Sequence, residues 1–269
     1  MAAVAASPAV AAEAAVAALG NPLDSQFSFF NFQLSMQLLI DIGNTSAKLA
    51  VMDSDIVHFE RRYEPWGGTF ARLMAAYPIT DVRLSTVAGE DDELDAALAT
   101  LDIPVLRLTP SVPCPVKPIM DVPSAYGADR WAADIGAIAQ DSDHTLLIID
   151  AGTCITYDLF SADGHLLGGA ISPGVQLRLN AMHEHTALLP QLEAEPEALL
   201  LGYDTRTHML SAAVNGARFE MEGYIRTFLN DYPDLHVFIT GGNSFSFSDD
   251  ITCLITHDPY LVFKGLSAL

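Results

Sequence analysis

Two stretches of this chain are built to one plan. Residues 38–53 read LLIDIGNTSAKLAVMD and residues 146–160 read LLIIDAGTCITYDLF: an apolar run, an aspartate, a glycine, a threonine and a second apolar run. A single Asp-Gly hairpin constrains little, because such turns are common. Two, each with its aspartate directly at the end of an apolar strand, are a stronger restriction, since carboxylates at strand ends face a cleft in α/β folds. Two readings stand on this evidence: a duplicated α/β protein with one such turn per half, or a single α/β domain in which the two hairpins match by chance.

The order of elements favours duplication. Hydrophobic periodicity predicts strands at 37–42, 47–52, 55–62, 81–86 and 104–108, with helices at 68–76, 91–101 and 126–140. After the polar stretch QDSDHT at 140–145 the pattern restarts, with strands at 146–150, 154–160 and 165–170, helices at 174–182, 194–200 and 205–229, and a strand at 236–240 that runs into TGG. The division falls near residue 142, giving lobes 36–142 and 143–269. The first 35 residues are alanine-rich, low-complexity text without a basic start, too diluted to span a bilayer. They read as a disordered extension or as a start assigned upstream of Met36.

Charge narrows the partners. With 34 acidic and 13 basic residues the net charge is -21, which argues against nucleic acid or an anionic membrane. Lysine occurs only at 48, 117 and 264, so any phosphate must be held by backbone amides, helix ends and metal ions more than by lysine. Cys114, Cys154 and Cys253 suggest neither a disulfide framework nor a zinc knuckle, and a cytoplasmic setting fits them. Cys154 reads as core, not as a nucleophile. The text HEHT at 183–186 lacks the spacing of a zinc-protease helix, so His183 and His185 read as solvated.

The residues from Asp41 to Lys48 form a coherent chemical object. Gly43 permits a tight turn with exposed amides, Asn44 and Thr45 offer short polar groups, and Asp41 places an anion at the strand end. Phosphate oxygens need N–H donors and a divalent cation, and an aspartate beyond that cation balances its charge. Lys48 either reaches a terminal phosphate or extends from a strand edge into solvent. The turn Asp150-Ala-Gly-Thr153 supplies the same parts, so two facing turns would grip a polyphosphate from both sides. Pro173, in SPG at 172–174, reads as a helix start, where its missing N–H is harmless.

This arrangement resembles the actin, sugar kinase and Hsp70 superfamily, whose two ribonuclease H-like lobes close on ATP. Three more stretches narrow the likeness: SAYGADRWAADIGA with Gly127-Ala128-Asp129-Arg130, GGAISPGVQLRLNAMHEHTALLP at 168–190, and ITGGN ending at Asn243. In this order, with DIGNT and DAGT, they resemble type III pantothenate kinase, over residues 36–269. The resemblance implies ATP contacts from Asp41, Ile42, Gly43, Asn44, Thr45, Ser46, Ala47, Lys48 and Thr153, with Asp41 near Mg²⁺. It implies pantothenate contacts from Gly127, Ala128, Asp129, Arg130 and Thr186, with Asp129 as proton acceptor, and a monovalent cation, K⁺ or NH₄⁺, at Asp150. It further implies a homodimer in which Thr186 reaches the substrate across the interface.

The chemistry supports Asp129 independently, because an alcohol attacking a phosphoryl group must lose its proton to a base within hydrogen-bond reach. Arg130 would hold either Asp129 or an anionic substrate. On the residues alone, Asp129-Arg130 reads equally as a solvated pair at a helix start, and Thr186 as a loop hydroxyl bonded to its own backbone. One position departs from the family: Met120 stands where a substrate-contacting tyrosine is expected, and Tyr126, adjacent to Gly127, is out of register with it. Two alternatives to a pantothenate kinase follow: a kinase for another small alcohol, or a non-catalytic regulator of the Bvg accessory factor type.

Overall fold

A computed structural model describes residues 35–89, 91–243 and 245–269; the extension proposed for the first 35 residues lies, apart from residue 35, outside them. The first sheet contains β1 (Met36–Ile42), β2 (Ala47–Met52), β3 (Ile56–Arg61), β4 (Ile79–Thr86) and β5 (Val105–Arg107), in the order β3-β2-β1-β4-β5. The second contains β6 (Leu146–Ala151), β7 (Cys154–Phe160), β8 (Leu166–Pro173), β9 (His236–Thr240) and β10 (Leu254–His257), in the order β10-β9-β6-β7-β8. Each sheet opens with an antiparallel three-strand meander, and its first strand then pairs in parallel with the fourth. The duplication expected from the two matching stretches is thus a duplication of sheet topology. The division proposed near residue 142 falls in the turn before β6.

Among the described residues six helices complete the architecture: α1 (Trp66–Ala76), α2 (Asp92–Leu98), α3 (Ala128–Gln140), α4 (Val175–Glu184), α5 (Thr205–Asp231) and α6 (Leu261–Ala268). Strand alternation sorts them into layers, because successive side chains leave a strand on opposite faces. Leu38, Ile40 and Ile42 of β1 pack with Trp66, Phe70, Leu73, Leu94 and Leu98 on the outer face of the first sheet. Leu147, Ile149 and Ala151 of β6 pack outward on α4 and α5. The intervening residues Leu39, Leu146 and Ile148 face inward and share a third core with Trp131, Ile135 and Ile138 of α3 and Leu261 and Leu266 of α6. Two helices therefore lie between two sheets.

Within that central layer α3 and α6 touch backbone to backbone. A Cβ on Gly265 would overlap Ala132 O and lie 2.7 Å from its carbonyl carbon; one on Gly136 would overlap Leu261 O. At the end of α6 the orphan carbonyls of Leu266 and Ser267 accept from Arg83 Nη1 of β4 at 3.1 and 2.6 Å, so the last helix is capped from the first sheet.

Two expectations need correction. Residues 194–200 form no helix. Pro196 interrupts them, and their backbone groups are satisfied by neighbouring helices: Gln176 Oε1 accepts from Ala194 N, while Asn215 and Ser211 donate to the carbonyls of Leu199 and Leu200. Pro173 ends β8 opposite Cys154, and α4 starts two residues later behind Gly174. Beyond Asn243 the sequence reading assigned nothing, whereas the chain adds β10 and α6.

Candidate active site

The alternation that builds the cores also aims the acids. Asp41 follows Leu39 on the inward face of β1, Asp150 follows Ile148 on the inward face of β6, and Asp158 alternates with Tyr157 and Leu159 of the outer core, so it too points inward. Asp41 and Asp150 sit at the carboxyl ends of the central strands. Between the sheets, at the start of α3, stands Asp129, in the helix's first turn. Asp41, Asp129 and Asp150, from distant parts of the sequence, are thereby directed into one crevice, with Asp158 nearby.

The two glycine turns close that crevice from opposite sides. Gly43 N donates to Ser46 O at 3.1 Å and Gly152 N to Cys154 O at 2.9 Å, and the turns meet where Thr45 Oγ1 and Thr153 Oγ1 share a hydrogen bond of 3.0 Å. Asn44, Thr45 and Thr153 are exposed, Gly43 and Ser46 half-buried, and Ile42 and Ala47 belong to the core. Over the second turn lies the TGGN loop. Asn243 donates to Ala151 O from its backbone N at 3.1 Å and from Nδ2 at 2.9 Å. Gly241, at φ 97°, passes so close that a Cβ would lie 2.6 Å from Asp150 Oδ1, which only glycine tolerates.

Electrostatics report the same proximity. Burial raises the Asp41 carboxyl above its usual range, Lys48 and the Ser85 hydroxyl counteract, and the charge of Asp129 adds to the rise. Ser85 Oγ donates to Asp41 Oδ1 at 3.0 Å, and Lys48 Nζ is 3.7 Å from Asp41 Oδ2. Lys48 is thus held at the aspartate and only partly exposed, which removes the reading of a freely solvated edge lysine. Asp150 is pushed up to about 7 by burial first and then by the charges of Asp41, Asp129 and Asp158. Three carboxyls against one ammonium leave an excess of negative charge suited to cations.

Among the described residues no three of His, Cys, Asp and Glu converge into a ready-made metal cage. Such a donor set fits Mg²⁺, which commonly uses one or two carboxylates and completes its shell with substrate phosphates and water.

The remaining candidates divide. Gly127 caps α3, Ala128 is buried, and Asp129 Oδ1 accepts from Arg130 N at 2.7 Å, so the helix-start reading of this pair is real as local structure. Arg130 holds neither Asp129 nor an open position: its Nε donates to Asp158 Oδ2 at 3.0 Å and its Nη2 to Asp158 Oδ1. Thr186 is exposed just beyond α4 and donates to Met182 O at 2.7 Å, and no hydrogen bond or ion pair joins it to the crevice among the described residues. Met120 is bridged to His165 and exposes 43% of its surface. Cys154 is half-buried at the start of β7. Ser85 and Asp158 escaped the sequence reading. A signal existed for Asp158, since a carboxylate inside the apolar run CITYDLF must be paired if buried; Ser85 offered none.

Comparison with known proteins agrees with this geometry. The solved structure from Sinorhizobium meliloti named for 2-dehydro-3-deoxygalactonokinase superposes with a TM-score of 0.55 at 14% identity, covering 86% of this chain and 97% of that one. A Campylobacter jejuni structure described as a Baf family transcriptional activator gives 0.51 at 20% identity, covering 86% and 95%. Both show the fold alone, that of an α/β protein, here with two five-stranded sheets. The sequence relatives are nearer. The type III pantothenate kinase of Phocaeicola vulgatus is 37% identical over 235 residues, 87% of this chain and 97% of the relative. That of Bacteroides fragilis is 39% identical over 237 residues, with the same coverage. The family model described as type III pantothenate kinase matches residues 37–227. With its duplicated sheets and acid-lined crevice, the chain belongs to the type III pantothenate kinase family.

Proposed function

We propose that the protein transfers the γ-phosphoryl group of ATP to the primary hydroxyl of pantothenate, giving ADP and 4′-phosphopantothenate at the start of coenzyme A synthesis. The observations that support this reading are the inward placement of Asp41 and Asp150 at the ends of paired strands, whose glycine turns are joined by the Thr45–Thr153 hydrogen bond, and the influence of the Asp129 charge on both carboxyls. Amides and hydroxyls of the turns at 43–46 and 152–153 bind the phosphates, Lys48 neutralises charge beside them, and Asp129 orients the hydroxyl and accepts its proton as the new P–O bond forms. A divalent cation at Asp41, taken as Mg²⁺, would neutralise charge developing on the phosphates. Asp150 is assigned to a monovalent cation, K⁺ or NH₄⁺. The setting is taken as cytoplasmic; no described helix is long and apolar enough to cross a membrane.

A homodimer belongs to the same proposal. Its support is the exposure of large apolar side chains: Leu188, two residues after Thr186, is 92% exposed, Leu201 84% and Tyr203 79%. Such exposure is costly in water and suits cover by a second copy of the chain.

The decisive assay supplies ATP, Mg²⁺ and K⁺ with either pantothenate or a panel of hydroxy acids and sugars, and follows ADP release. Pantothenate-dependent release is expected; faster release with another alcohol moves the assignment to that substrate, and none at all leaves a non-catalytic nucleotide binder.

Asp150→Asn separates its cation role from its cost to the fold. Because the carboxyl is held near 7 in the folded protein and at an ordinary 3.8 otherwise, the unfolded chain releases this proton first. Stability therefore falls as pH rises from about 4 to about 7 and stays low above that range. The asparagine variant is expected to melt several degrees higher than wild type at pH 8 without added salts, yet to lose stimulation by K⁺. Equal melting curves together with intact K⁺ stimulation would remove Asp150 from the cation site.

A further inference from the structure

We propose that Asp134 and Tyr126 are positioning residues for phosphoryl transfer: they lock the Arg130–Asp158 pair and, through it, the first turn of α3 that carries Asp129. The inference rests on the kinase reading of the site.

The Arg130 guanidinium is enclosed on three sides. Asp158, 1% exposed on β7, engages it with both carboxylate oxygens. Its Cζ lies 4.5 Å over the Tyr126 ring. Gly169, opposite Asp158 in the β7–β8 register, lies against the third side so closely that a Cβ there would be 2.7 Å from Arg130 Nη2. A planar cation with a bidentate carboxylate and an aromatic face has little freedom left. As Arg130 is the residue after Asp129, fixing the one restricts the other.

Tyr126 is fixed in turn. Its hydroxyl donates to Asp134 Oδ2 at 2.9 Å, and Asp134, one turn beyond Arg130 on α3, is fully buried. The second oxygen, Asp134 Oδ1, has no hydrogen-bond partner. Charge balance defines the state of this acid. Asp158 and Arg130 neutralise each other, so an ionised Asp134 would be a second buried anion without a cation. Burial and the neighbouring Asp158 charge hold the Asp134 carboxyl well above the usual range, which favours the neutral acid as partner of the phenol. Replacing both partners, with an aliphatic side chain at 134 and phenylalanine at 126, would fill the site without a buried unpaired oxygen and can be neutral or stabilising. Stability alone therefore does not account for an acid here; fixing the ring beneath Arg130 does.

Wild type, Asp134→Asn, Asp134→Val and Tyr126→Phe are compared by steady-state kinetics, melting temperature and amide hydrogen exchange over residues 127–131. Asp134→Asn still accepts from the phenol and mimics the neutral acid, so its kcat/KM for pantothenate is expected within about threefold of wild type. Asp134→Val and Tyr126→Phe should each lose about tenfold or more in kcat/KM for pantothenate, with KM for ATP little changed. Their amides at 127–131 should exchange faster, while those of the last turn of α3 keep wild-type rates. If valine prevents folding, Tyr126→Phe, which keeps the ring, carries the test. Wild-type kinetics and exchange in the phenylalanine variant, or an asparagine variant as impaired as valine, overturn the proposal. Should wild type fail to phosphorylate pantothenate, the kinase reading falls, and the exchange rates still decide whether these residues hold the helix start.

Discussion

Asp129→Asn is expected to reduce pantothenate-dependent turnover by about 10²–10⁴-fold while leaving nucleotide binding close to that of wild type. The substitution is nearly isosteric. Its side-chain oxygen still accepts from Arg130 N, the bond that Asp129 Oδ1 makes at 2.7 Å, so the first turn of α3 is preserved. What disappears is a carboxylate able to take the proton of the attacking hydroxyl. The nucleotide is assigned to the two glycine turns, Lys48 and Asp41, which the variant does not touch. Removing the Asp129 charge also relieves Asp41 and Asp150, whose carboxyls it helps to raise, so ATP affinity has no electrostatic reason to fall. Single-turnover ADP formation and calorimetric titration with ATP measure the two effects separately. Turnover like that of wild type would remove Asp129 from the role of base; loss of ATP binding together with turnover would show that it acts on the nucleotide instead.

The largest effect on stability is expected from Gly265→Ala. Elsewhere in a helix this change is favourable by about 1 kcal/mol, because glycine is the poorer helix former. Here the added Cβ overlaps Ala132 O and approaches Gly136 N to 2.9 Å, both backbone atoms of α3. Backbone cannot swing aside as a side-chain tip can, so the two helices must separate or tilt. Separation would loosen the central core that packs Trp131, Ile135 and Ile138 against Leu261 and Leu266. Overpacking of this kind costs about 1–3 kcal/mol, and more where backbone must move, which exceeds the propensity gain and is a large part of a total stability of about 5–15 kcal/mol. Urea unfolding should show a lower midpoint. Since α3 also carries Asp129, any variant that still folds should have reduced kcat. A midpoint at or above that of wild type would mean that the helices do not meet backbone to backbone.

Much of the fold was legible before any coordinates. The strands at 37–42, 47–52, 146–150, 154–160 and 236–240 and the starts of α3 and α5 follow from apolar periodicity and turn chemistry, which act over a few residues. The helix expected at 194–200 shows the limit of such reasoning. Leu199 and Leu200 beside glutamates look helical in isolation, but Asn215 and Ser211, eleven or more residues away, take their carbonyls. The same limit hid α6, whose Gly265 looks helix-breaking until the backbone of α3 is set against it.

By itself the sequence determined the duplicated strand–turn–strand units, the acids at the strand ends and the family to which they belong, because each is a local pattern of residue types. Only the tertiary structure decided that Thr45 meets Thr153 across 108 positions, that Arg130 is committed to Asp158, and that Ser85 steadies Asp41. Those partners come from different strands and helices, and nothing in either segment alone specifies the other. The physical reason is that side-chain direction along a strand is fixed by alternation, whereas what stands opposite is fixed by how two sheets close on the helices between them.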